Sequence, residues 1–121
     1  MFQVEIDKSK NLLKLAFTGH VTQEESSRWR DEIKTRLADL QPGFNLLTDF
    51  TGMDAMDFAC APDIEIVMEM CNQAGISKII RIIPDPRKDI GLSIMSLFHY
   101  RRGVAIVTCE TMEEALRALA E

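Results

Sequence analysis

A chain of 121 residues with 46% hydrophobic and 27% charged residues has the length of one folded domain and enough apolar material for its core. Six Gly and four Pro exclude collagen-like and low-complexity chains. Fourteen Lys and Arg against 19 Asp and Glu leave a net charge of −5, the wrong sign for a protein whose main partner is nucleic acid or an anionic membrane.

Phe2, Val4 and Ile6 alternate with Gln3, Glu5 and Asp7, the period-two pattern of a half-buried strand. A polar turn leads to a second strand over Leu12 to Thr18, so the chain opens with an antiparallel hairpin. Thr22 and Glu25 have the spacing of a capping box, in which each side chain satisfies a backbone N–H at a helix start. The helix predicted there runs from about Gln23 to Leu40, with Trp29, Ile33, Leu37 and Leu40 at helical spacing. Gln41-Pro42-Gly43 stops it, because Pro lacks a donor and Gly accepts left-handed geometry.

Strands and helices then alternate. Phe44 to Phe50 reads as a third strand, and Pro62 suits the first turn of a helix that runs to Ala74 and ends at Gly75. Lys78 to Ile83, with isoleucine at four of its six positions, predicts a strand covered on both faces. After Pro84-Asp85-Pro86 come a helix from Asp89 to Arg102 and a strand from Val104 to Thr108. Thr111 and Glu114 repeat the capping-box spacing before a last helix, Met112 to Ala120. The order β-β-α-β-α-β-α-β-α predicts a single α/β domain over residues 1–121, a five-stranded mixed sheet with four main helices. Right-handed crossovers make the strands parallel from the second onward, with the first antiparallel to its neighbour.

This element order, together with the segment Leu46-Leu47-Thr48-Asp49-Phe50-Thr51-Gly52-Met53-Asp54-Ala55-Met56-Asp57, resembles the STAS family of anti-sigma-factor antagonists. The family's strand motif is an apolar run, then Asp-Leu-Ser-Gly-Val, then Asp-Ser-Ser-Gly at a helix N-terminus. The resemblance implies a SpoIIAA-like fold and a regulatory role exercised by binding an anti-sigma-type kinase partner; because the sequence places no nucleophile, base and orienting group together, no enzymatic activity and no cofactor are expected. In the antagonists the Ser after the second Asp is phosphorylated, which puts a charge of about −1.5 to −2 on the partner-binding surface. Here that position is Phe58, followed by Ala59 and Cys60, so the serine switch does not carry over. Two functions follow from the resemblance. One is a partner-binding module without the phosphoswitch; the other, implied by more distant SpoIIAA-like members, is a binder or carrier of a long, lipid-like apolar ligand between helices and sheet.

The loop from Asp54 to Asp63 lies where open α/β sheets place their sites, at the C-terminal end of a strand before a helix. Asp57, Phe58 and Cys60 are its candidates for partner or ligand contact. Asp49, Asp54, Asp57 and Asp63 have the oxygen chemistry of a hard-cation site. Asp is also the common residue of caps and turns, so solvated turn residues are expected and no metal. Cys60, before a helix, has one requirement of a reactive thiolate. Acidic surroundings and no assignable base favour a buried, inert thiol. His20 and His99 lack an i,i+4 His or Cys partner and read as surface or capping residues.

The helix from Pro62 turns Ile64, Val67, Met68, Cys71 and Ala74 to one face and leaves Ile66 and Met70 off it. In the next helix Ile90, Ile94, Leu97 and Phe98 form one stripe, and Leu92, Met95 and His99 another. This surplus of apolar surface predicts either further core packing, a homodimer contact, or a partner or ligand surface at Ile66, Met70, Leu92, Met95 and His99. Arg81, Arg87, Lys88, Arg101 and Arg102 are the main basic concentration. The last two close a helix, where cations complement the dipole. No interleaving of basic and aromatic residues marks a nucleic-acid surface.

The three cysteines, Cys60, Cys71 and Cys109, contain no C-x-x-C pair. They make neither a disulfide framework nor a zinc site. The N-terminal alternation is not a signal peptide, and the longest largely apolar helical stretch, Ile90 to Tyr100, is well short of the roughly 20 residues that span a bilayer. A cytoplasmic location is therefore expected.

Overall fold

The computed structural model describes residues 1–85, 99–101 and 103–121. Strands β1 (Phe2–Asp7) and β2 (Leu12–Val21) form the opening hairpin. Helix α1 (Gln23–Arg36) leads to β3 (Asn45–Met56), helix α2 (Ala61–Gln73) to β4 (Lys78–Ile82), and β5 (Ala105–Cys109) precedes helix α3 (Met112–Ala120). The sheet order is β1-β2-β3-β4-β5, antiparallel at its first pair and parallel at the other three. This is the mixed five-stranded sheet expected from the element order. Three α-helices are described, against the four expected. The helix expected over Asp89 to Arg102 lies outside the described residues apart from residues 99–101, and Leu92 and Met95 lie outside them too.

Strand alternation distributes the core over two sides of the sheet. Leu13, Leu15 and Phe17 of β2 pack with Leu46, Ile79, Trp29 and Ile33 of α1, and Val67 and Cys71 of α2. Leu12, on the opposite face of the strand, packs with Leu47, Ile80, Ile82 and Cys109 under Ala115 and Ala118 of α3. Because each parallel strand is added on the same side of the last, right-handed crossovers carry α1 and α2 to one face. Among the described helices α3, after the last strand, covers the other. β4 is buried on both faces from Ile79 to Ile82, as its isoleucines predict, although Arg81 lies among them.

Local signals hold the ends. Both halves of the capping box at α1 form, with Glu25 N–H donating to Thr22 Oγ1 at 3.3 Å and Thr22 N–H to Glu25 Oε1 at 3.4 Å. At α3 the Thr111 side chain accepts from Glu114 N–H at 3.2 Å. Gly75, after α2, sits at φ +92°, and a Cβ there would lie 3.1 Å from Pro42. The left-handed backbone and this close approach both require glycine. Gly43 N–H donates to the Gly75 carbonyl at 2.7 Å, tying the end of α2 to the turn after α1.

Candidate functional site

β4 pairs only with Asn45 to Asp49 of β3, yet β2 and β3 continue side by side to Val21 and Met56 through two register shifts. A two-stranded ribbon therefore runs past the rest of the sheet, and the expected loop from residue 54 onward begins as strand. Gly52 of the Asp-x-Thr-Gly segment lies against Thr18, whose Cγ2 would be 2.9 Å from a Cβ at that position. The glycine lets the two backbones approach within the ribbon.

The ribbon delivers the chain to one 3-10 turn, Phe58–Cys60. The Val21 carbonyl accepts the Asp57 N–H at 3.0 Å and faces the Cys60 thiol at 3.7 Å, while Cys60 N–H donates to the Asp57 carbonyl at 3.0 Å. These contacts pull Cys60 wholly into the core and throw Phe58 outward, 100% exposed. His20 Nε2 lies 2.5 Å from Asp57 Oδ1, so an exposed polar pair stands beside the ring. Cys60 is corrected on this point: a fully buried thiol presents nothing to a partner, and the contact candidates of the turn are Asp57 and Phe58. Cys71 and Cys109 are buried as well. Burial pushes the Cys71 thiol up to about 12 and raises that of Cys109, the direction that disfavours the reactive thiolate.

Asp63 is a second correction. Expected as a solvated turn residue, it sits in the first turn of α2 against α1, its side chain 4% exposed. Arg30 Nη1 donates to its Oδ1 at 2.7 Å, and Ser26 Oγ to its Oδ2 at 2.6 Å. Its partners lie 33 and 37 residues away in sequence, which no spacing rule reaches. The available signal was on α1, where Ser26 and Arg30, four apart, put polar groups beside the apolar stripe of Trp29 and Ile33. Among the described residues no three His, Cys, Asp or Glu side chains gather as a metal site.

Along α2, Ile66 is 43% exposed and Met70 is half-buried against the core. They stand roughly 8 and 14 Å from Ala61 along the helix axis, so the structure spreads the candidate residues over the length of α2 instead of gathering them at the turn. His99 docks on the same helix, with Nδ1 2.7 Å from Glu69 Oε1 and Nε2 3.2 Å from Glu65 Oε2. Both ring nitrogens face carboxylates, and only the imidazolium can donate to both. The hydrogen bond to Glu69 is the main cause that raises the His99 pKa above 6.5; burial opposes it and Glu65 adds to it. A raised pKa adds stability that is complete below the unfolded value, about 6.5, and is lost as pH rises through the folded one. We expect the urea midpoint to fall over that alkaline range, and His99→Gln to remove this part of the pH dependence. An unchanged profile in the variant would show that the two carboxylates do not hold the ring.

Between the sheet and the two helices lies a cavity of about 40 Å³. Phe17 forms its aromatic centre, edge-on to Trp29 with ring centroids 5.3 Å apart and stacked on Phe50 at 5.4 Å. Ile64, Met56, Met68 and Tyr100 complete much of the wall. Burial raises the Tyr100 pKa well above its ordinary value, so its hydroxyl stays neutral.

No protein-family model matches the chain, and no curated protein matches it at a significant level. Solved structures do. An uncharacterized protein of the DUF3478 family with a SpoIIAA-like fold, from Shewanella loihica, superposes with a TM-score of 0.72 at 17% identity, over 98% of this chain and 93% of that one. The anti-sigma factor antagonist SpoIIAA in its unphosphorylated form gives 0.70 at 17% identity, over 99% and 98%. An anti-sigma factor antagonist from Mycobacterium paratuberculosis gives 0.63 at 14% identity, over 100% and 96%. At these identities the likeness is one of fold, and that fold is the STAS-like one.

Proposed function

We propose that this chain, STAS-like in its fold, is a cytoplasmic regulatory module that binds a protein partner of the anti-sigma-factor class and is not an enzyme. The observation that carries the reading is Phe58, fully exposed on a turn anchored at Val21. The ring adds nothing to the core, while aromatic residues are enriched at protein interfaces. Asp57 and His20 supply a polar rim beside it. Phenylalanine has no hydroxyl to phosphorylate, so this contact has no serine switch at position 58.

The test is affinity capture from the source cell with the wild type and Phe58→Asp, which mimics the charge of a phosphorylated serine. Captured proteins are identified by mass spectrometry. An anti-sigma-type protein retained by the wild type and lost by the variant, with both melting at the same temperature, is the expected result. Equal capture by both removes the turn from the interface.

A second reading, a binder of an apolar molecule between helices and sheet, is favoured by the cavity beside Phe17, Trp29 and Met68. Its volume of about 40 Å³ suits a small molecule, or one end of a larger one, better than a whole acyl chain.

A further inference from the structure

Phe58, Pro62, Ile66 and Met70 recur at intervals of four from the 3-10 turn along α2. On a helix this spacing lines successive side chains up as a ridge. Phe58 is fully exposed and Ile66 is largely so, Pro62 is exposed and Met70 is half-buried. The buried residues of α2, Asp63, Val67, Met68 and Cys71, lie off the ridge. The core therefore takes the other side of the helix and leaves an apolar ridge, roughly 18 Å from Phe58 to Met70, that reaches solvent over most of its length.

Carboxylates border it. Asp54 and Asp57 precede the ridge and Glu65 and Glu69 run beside it, and the last three are partly exposed. From Leu37 to Ser77 the sequence contains no Lys or Arg. The described cationic groups nearby are committed elsewhere or to the border itself. Arg30 of α1 pairs with the buried Asp63, and His99 lies between Glu65 and Glu69. His20 stands against Asp57. A border of one sign is complementary to a partner surface of the other, and such complementarity suppresses wrong partners and steers encounter.

We propose that the partner lays a basic amphipathic helix along this ridge, its apolar stripe on Phe58, Pro62 and Ile66 and its Lys or Arg side chains against the neighbouring carboxylates. A row of side chains four residues apart fits the groove between two such rows on another helix, which is why the matching element is helical; the acidic border is why it is basic. This assignment rests on the protein-partner reading above and adds to it the chemistry of the partner. Phe58→Asp still weakens the contact, because one more exposed charge adds little beside the loss of a buried ring.

The test titrates the purified chain with a Leu–Lys amphipathic peptide and, separately, with its Leu–Glu counterpart, following the amide signals by NMR. The Leu–Lys peptide is expected to move the signals of Phe58 and Ile66 and to bind about tenfold more tightly than the Leu–Glu peptide. Asp54→Asn combined with Asp57→Asn is expected to weaken its binding about fivefold, and Ile66→Ser about tenfold. These side chains reach solvent, so both variants should melt with the wild type. Equal binding of the two peptides along the ridge would overturn the basic class of the partner. Binding of the Leu–Lys peptide with Phe58 and Ile66 unmoved, or binding of neither peptide, would overturn the ridge as a helix-docking site. The protein-partner reading has its own separate test in the capture with Phe58→Asp, which reads the turn alone.

Discussion

Arg30→Ala should lower the unfolding free energy by about 3 kcal/mol, the cost of leaving a buried carboxylate without its cation. Asp63→Asn should cost less, about 1–2 kcal/mol. The asymmetry comes from burial. The Asp63 side chain is 4% exposed and Arg30 is 32% exposed, so an abandoned guanidinium recovers much of its hydration and an abandoned carboxylate recovers almost none. The Ser26 hydroxyl, 2.6 Å from Asp63 Oδ2, cannot replace a charge. Replacing both partners by Met at position 30 and Leu at position 63 should restore most of the loss, because no unpaired charge is then left inside. Urea denaturation of the four proteins with a common m-value decides it. Equal losses for the two single variants would mean that burial does not control the pair. Asp63 stands in the first turn of α2, three residues after the turn that carries Phe58, so the same contact sets the direction from which that ring is presented.

Phe17→Ala should cost about 4 kcal/mol, the middle of the range for deleting a buried ring. Phe17 is one of the most enclosed aromatics of the core, and its neighbours cannot collapse easily into the space it leaves. Trp29 is held by α1 and Phe50 by β3, and both touch Phe17 from different sides. Phe17→Leu should cost about 1–1.5 kcal/mol, since most of the volume is kept. Phe50 is only half-buried, so Phe50→Ala should cost less than Phe17→Ala. A double-mutant cycle between the two should return a coupling of about 0.5–1.5 kcal/mol for the stacked pair. Additive losses would mean that the stacking contributes nothing beyond buried area. Phe17→Ala also enlarges the cavity beside Trp29, and with it the molecules the cavity admits.

Much of this architecture was legible before any coordinates. The alternation of Phe2, Val4 and Ile6, the two Thr-x-x-Glu capping patterns and the isoleucines of β4 are local signals, and each describes an element that forms where it was read. The boundaries that moved did so for non-local reasons. β3 runs six residues beyond Phe50 because the end of β2 is there to pair with it, and pairing across 34 or 35 residues has no signature in the segment itself. Phe58 was singled out by its chemistry, a ring at the place of a phosphorylated serine, and it stands in solvent. Cys60, two residues on, carries no mark of its own burial. Its position is decided by the Val21 carbonyl at the end of another strand.

What the sequence by itself determined is the order of the described elements and the periodic faces they bury, because helix caps, turn residues and hydrophobic period act over a few residues and need no partner. Only the tertiary structure decided that Asp63 is an interior anion held by Arg30, that His99 bridges Glu65 and Glu69, and that the Trp29 indole N–H is buried with no acceptor among the described residues. Those outcomes depend on groups 30 or more residues apart competing for the same buried space, where desolvation gives a charge or a donor its value. That environment exists only once the chain has closed around it.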